Sequence, residues 1–121
     1  ICFNLNGKTK KQHFVPQFLL RNFSIGRKSK AKVWVYDKSN GKQFRASVRD
    51  VGHENSFYEA TAPDGRTVEA ESLTEHMDDR GSKAIELVLK RGALPLQSPE
   101  VVDLSYFVAF QMLRTPDVRA R

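Results

Sequence analysis

Along this chain, apolar residues recur at every second position in some stretches and at every third or fourth in others, so strands and helices are both expected. From Pro16, residues Leu19, Leu20 and Phe23 fall close together on a 3.6-residue wheel, predicting a short helix with one face to bury. Proline suits the first turn of such a helix, where its missing N–H would have no partner anyway. Two strand-like runs then flank Asn40-Gly41, a pair that readily takes the positive φ values of a two-residue hairpin turn. Such a turn sets Ser39 against Lys42. Val33 then faces Val48, Val35 faces Ala46 and Asp37 faces Phe44 on a core side. Lys32 faces Arg49, Trp34 faces Ser47 and Tyr36 faces Arg45 on an aromatic and basic side. A third strand is expected within residues 51–58, and Ala62-Pro63-Asp64-Gly65 predicts a second hairpin returning through Thr67 and Val68.

Two longer helices follow, at about 70–91 and about 99–114. Ser72-Leu73-Thr74-Glu75 has the form of a capping box, and Leu73, Met77, Gly81, Ala84 and Val88 keep one face in register. Gly81 is expected to permit close packing there rather than a break. Lys90-Arg91-Gly92 is a suitable ending, with cations at the negative pole and glycine beyond it. Ser98-Pro99-Glu100 opens the last helix. Val102, Tyr106, Phe110 and Leu113 make one apolar side of it, and Val101, Leu104, Val108 and Met112 another, so a central position is expected. A narrow stripe of Glu100, Asp103, Phe107, Gln111 and Arg114 runs between the two sides, and Thr115-Pro116 should stop the helix. The fold class is α+β: a short N-terminal helix, a small antiparallel sheet over about 33–68, and two longer helices packed on it.

Composition narrows the picture. The chain has 121 residues, 40% of them apolar, which suits a single folded domain, with residues 1–12 as a mobile or edge arm. Its apolar stretches are too short or too interrupted to span a bilayer. One cysteine, Cys2, cannot form an internal disulfide, and no signal-peptide pattern opens the chain, so a reduced cytoplasmic protein is expected. The formal charge of +6 suits nucleic acid or another polyanion as a partner. No P-loop, dinucleotide fingerprint, nucleophile elbow or cysteine-rich zinc pattern is present, and hence no small-molecule cofactor signature.

Four segments carry a resemblance: His13 to Phe23 (His-Phe-Val-Pro-Gln-Phe-Leu-Leu-Arg-Asn-Phe), Val35 to Lys38, Asn55-Ser56-Phe57-Tyr58, and Gln111 to Pro116 (Gln-Met-Leu-Arg-Thr-Pro). Together they resemble a bacterial domain-of-unknown-function family, numbered 4238, over almost the whole chain. The resemblance implies that the His13 and Gln111–Arg114 motifs belong to the family signature, with acidic positions near Glu71 and Asp78. It also implies a longer parent protein, of which this chain is a fragment. It implies no activity.

The candidate chemistry therefore rests on side chains. His13 lies near the positive end of the first helix, where free N–H groups lower an imidazole pKa. With Glu71 or Asp78 it could hold a divalent metal, Arg114 stabilising a phosphoryl group and Gln111 belonging to the same candidate site. That combination describes a metal-assisted phosphodiesterase-like site. Trp34, Tyr36, Arg45 and Arg49 instead suggest a stacking platform with a phosphate-binding rim. The alternative is a non-catalytic nucleic-acid or protein-binding module in which His13, Gln111 and Arg114 are structural. In it, Arg114 pairs with Glu71, Asp78 or the His13 loop.

Overall fold

The computed structural model describes residues 11–55, 57–94 and 97–119. They group into two compact units that divide between Phe57 and Tyr58. The α+β class holds, but the strands form three antiparallel pairs rather than one sheet. Of the expected N-terminal arm, residues 1–10 lie outside the described ones.

In the N-terminal unit, β1 (Lys11–His13) pairs with β4 (His53–Asn55), and β2 (Lys32–Asp37) with β3 (Lys42–Ser47). Between β1 and β2 lies α1 (Gln17–Arg21), preceded by Pro16 in extended conformation at the N-cap. Being five residues long, α1 ends before Phe23, which is 77% exposed, against expectation. The buried side chain of this helix is Gln17, and Leu20 packs with Val35 and Val51 on a small core of Ala31, Val33 and Val48.

The hairpin departs from the expected register by two positions. Asp37 pairs with Lys42 across the loop 38–41, so Val33 faces Ala46, Val35 faces Phe44, Trp34 faces Arg45 and Tyr36 faces Gln43. Asp37 causes the wider turn. Its carboxylate accepts from Ser39 N (2.9 Å), Ser39 Oγ (2.6 Å) and Asn40 Nδ2 (2.8 Å), while its carbonyl accepts from Gly41 N (2.8 Å). Only Gly41 in this loop takes positive φ, at 72°. Because side chains alternate with period two, a shift of two leaves each face with the same residues. Beyond Ser47 the strand stops: Ser47 Oγ accepts from Arg49 N (3.3 Å) and starts a 3₁₀ turn, Val48–Asp50. Arg49 therefore leaves the hairpin face where it was expected.

In the C-terminal unit, β5 (Glu59–Thr61) and β6 (Thr67–Glu69) pair across the expected Ala62–Gly65 turn, closed by Gly65 N donating to Ala62 O (2.9 Å). Next come α2 (Glu71–Arg91), α3 (Ser98–Leu113) and the single turn α4 (Pro116–Arg119). Neither long helix has a side-chain N-cap: Ala70 and Gln97 hold those positions, so Ser72 and Ser98 already lie inside their helices. Gly92 closes α2 at φ 66°, as expected. Gly81 is buried, and a Cβ built there would collide with the Phe107 ring, so α2 and α3 approach as closely as glycine allows.

The central position expected for α3 is not what the helix adopts. Its polar stripe, rather than its apolar sides, meets α2. Arg91 donates to both Glu100 carboxylate oxygens (2.7 and 3.1 Å), Arg80 to Asp103, and Arg114 to Asp78 across from Gln111. Phe107 is the buried apolar member, while Val101, Val102, Tyr106, Val108, Met112 and Leu113 are exposed. No described helix is long and apolar enough to cross a membrane.

Candidate functional site

Arg114 is the best-anchored polar side chain of the C-terminal unit. The helix ends on it, and the residue is 4% exposed, opposite an Asp78 that is 5% exposed. Its Nη2 donates to Asp78 Oδ1 (2.5 Å) and its Nε to Gln111 Oε1 (2.8 Å). The guanidinium carbon lies 5.1 Å from the Phe110 ring centre and 5.9 Å from that of Phe107. The Tyr58 phenol lies close enough to Arg114 and Thr74 to be influenced by both. A planar fork between rings, with several directed bonds, is a role that lysine's point charge cannot fill equally. Burial pushes the Asp78 carboxyl above its ordinary range, opposed by the hydrogen bond and charge of Arg114. Its Oδ2 is buried without a hydrogen-bond partner among the described residues. Burial likewise raises the Tyr58 hydroxyl, again opposed by Arg114.

His13 is the corresponding polar anchor of the N-terminal unit. It is 1% exposed, pairs with His53 in the β1–β4 ladder, and its ring meets the His53 ring edge-on at 5.3 Å. Its pKa falls to about 4, chiefly through burial and further through the neighbouring His53, with main-chain hydrogen bonding at Arg49 and Val48 acting the other way. The expected direction holds, but its cause is burial rather than a helix terminus.

The hairpin presents the third constellation. Trp34 and Tyr36 are 60% and 59% exposed on one face of β2, and the Arg45 guanidinium lies 4.7 Å above the Trp34 ring. The cation–π partner of Arg45 is thus Trp34, not Tyr36, as the register shift requires. Arg49 lines a separate cleft beside Arg21 and Lys28.

Of the expected metal ligands, the Glu71 side chain lies outside the described ones and Asp78 is engaged by Arg114. No group of three His, Cys, Asp or Glu side chains able to hold a metal ion occurs among the described residues. Sequence reasoning missed His53, Tyr58 and Thr74. His53 follows from strand pairing that no local pattern encodes. Tyr58 carried a signal, as the last residue of the Asn55–Tyr58 motif.

The comparisons with known proteins agree with the resemblance in the sequence. Residues 11–121 match the family described as protein of unknown function (DUF4238), and the chain belongs to that family. No curated protein matches it, and neither does any solved structure.

Proposed function

We propose that this member of a family of unknown function is a non-catalytic nucleic-acid-binding module, taking single strands on the Trp34 face of its hairpin. The observation that carries this reading is the pair of exposed aromatic rings on one face, with a guanidinium already stacked on the first. Large aromatic side chains left in water beside a cation are suited to stack bases while the cation meets the backbone phosphates. Residues two apart on a strand are about 6.6 Å apart, so Trp34 and Tyr36 can serve successive bases. The formal charge of +6 favours the same partner.

The catalytic alternative is metal-assisted phosphodiester cleavage through His13, Glu71, Asp78, Gln111 and Arg114. It asks for an imidazole ready to take a proton and carboxylates ready to hold a divalent ion. The bonding of Asp78 to Arg114, and the burial of His13 with its pKa near 4, favour structural roles for these residues.

The test is binding of a labelled thymidine oligonucleotide by the whole chain at low salt. Trp34→Ala with Arg45→Ala should weaken it by about 1–3 kcal/mol per lost stack, with the far-UV circular dichroism unchanged. Affinity should also fall steeply with added salt. Binding that ignores both substitutions would refute the hairpin as the contact face. Cleavage of the strand on adding Mn²⁺ would favour the catalytic alternative.

A further inference from the structure

A cleft of about 550 Å³ opens in the N-terminal unit, away from the exposed aromatic rings. Arg21 of α1, Lys28 of the following loop and Arg49 of the 3₁₀ turn line it, and among the described residues no acidic side chain does. None of the three cations forms an ion pair among the described residues. The nearby Asp50 is engaged by Lys11 at 3.0 Å. Ala31 and Val48, both buried, supply an apolar floor, and Ser29 and Ser47 add hydroxyls. Arg21 is held in place by Nη2 donating to the buried Gln17 Oε1 (3.0 Å).

The backbone gives an independent sign. Lys28 is the one non-glycine residue with positive φ among the described residues, at 53°. For lysine this conformation is disfavoured relative to the right-handed region, and neither glycine nor asparagine relieves it here. The loop that imposes it is tightly wound. Ile25 and Lys32 close its base by reciprocal hydrogen bonds of 2.8 and 3.0 Å, and a Cβ at Gly26 would meet Lys30 O at 2.8 Å. The wound loop sets Lys28 along the cleft.

We infer that this cleft binds a nucleotide, its phosphate among Arg21, Lys28 and Arg49 and its apolar body over Ala31 and Val48. Three cations lining one cleft, with no carboxylate among the described lining residues, suit a phosphate dianion. The volume is that of a small-molecule site rather than of a bare anion. The inference does not rest on the hairpin-face reading, since no residue is shared.

Calorimetric titration of the whole chain with adenosine monophosphate, and separately with inorganic phosphate, tests it. The variant is Lys28→Gly with Arg49→Ala. Glycine suits the Lys28 backbone and Arg49 is exposed, so the urea midpoint should not fall. Adenosine monophosphate should bind more tightly than phosphate, and the double variant should weaken it by about tenfold or more. A thymidine oligonucleotide with a phosphorylated end, against the same strand with a hydroxyl end, separates the two sources. A preference for the phosphorylated strand makes the ligand a strand terminus, and equal binding makes it a free nucleotide. No binding of adenosine monophosphate, binding no tighter than phosphate, or binding unchanged in the double variant would overturn the inference. Trp34→Ala should leave nucleotide binding intact even where it abolishes strand binding, so the two readings fail separately.

Discussion

Each of the two units of this chain has its own kind of interior, and the two kinds differ. In the N-terminal unit, small aliphatic residues, Ala31, Val33 and Val48, form the buried cluster, and the aromatic rings of the hairpin stand in water. In the C-terminal unit the seam between the long helices is lined with charges, while most of the apolar residues of α3 are exposed. Apolar character therefore marks the inside of one unit and much of the outside of the other. An exposed apolar residue is common on any protein; a buried Arg–Asp pair is not, and it is the better guide to what fixes the helices. A charged pair is directional, and stranding one member of the buried one by sliding the helices would be costly.

The largest effect should come from breaking that polar seam where it is most buried. Arg114→Leu strands Asp78 in a site of low polarity and should cost roughly 3–5 kcal/mol, read as a lower urea midpoint. Adding Asp78→Leu removes the stranded charge, and the double variant should recover most of the loss. If the double variant is as unstable as the single one, the pair is not what orders the helices. Arg114→Lys should fall between wild type and leucine, since it keeps the charge but loses the fork that reaches Gln111 and Asp78 together.

Next in size is the pH response of the N-terminal unit. His13 has its folded pKa lowered from 6.5 to about 4, so its contribution is full above the unfolded value and is lost as pH falls through the folded one. Across that window the loss amounts to about 3 kcal/mol. Asp78 acts with the opposite sign: its pKa is raised in the folded chain, so its contribution favours folding at low pH and is lost as pH rises through the folded value. The two residues thus act in opposite directions as pH falls. Proton NMR of the imidazoles resolves the first half of this statement: the His13 ring should stay neutral down to about pH 4, and titration near 6.5 would contradict its burial.

Gly81→Ala probes the contact between the helices from the apolar side. The added methyl falls on the Phe107 ring, so about 1–3 kcal/mol should be lost to overpacking, although alanine is the better helix former. A stabilised variant would mean that α2 and α3 can separate freely at this point, and that the charged pairs alone set their distance.

How much of this was legible in the sequence depends on which groups do the burying. The hairpin faces were readable because alternation is local and survives a shift of two, whereas the register was not, because it depends on how Asp37 folds back on Ser39 and Asn40. The stripe on α3 was visible as a spacing, and the Arg114–Asp78 pair was among its expected outcomes. Its neighbours were misjudged because hydrophobicity points to a buried face only when burial is driven by apolar area. The same limit hid Gln17: a polar residue on a one-and-a-half-turn helix gives no periodic sign that it is the buried one. His53 and the cleft cations come together only through long-range pairing, which spacing along the chain does not encode.

The smallest predicted effect is in the hairpin turn, and it separates two accounts of the loop. Gly41 has φ 72°, and a Cβ placed on it meets nothing within 4 Å. A substitution there is therefore a test of backbone conformation alone, unlike Gly81, where conformation is ordinary and space is the obstacle. Gly41→Val should cost about 1–2 kcal/mol, because a β-branched residue crowds its own carbonyl in the left-handed region. Gly41→Asn should cost less, since asparagine tolerates that region. Asn40 does not have positive φ, so Asn40→Ala should lose only the hydrogen bonds to Asp37 and from Lys42 N, at 2.8 and 2.9 Å, or about 1 kcal/mol for exposed groups. A two-residue turn would put both Asn40 and Gly41 at positive φ, making Asn40→Val as damaging as Gly41→Val. Equal losses for those two valine variants, measured as urea midpoints, would restore the shorter turn. It would also return Arg45 from Trp34 to Tyr36 and remove the stacked pair on which the hairpin face depends.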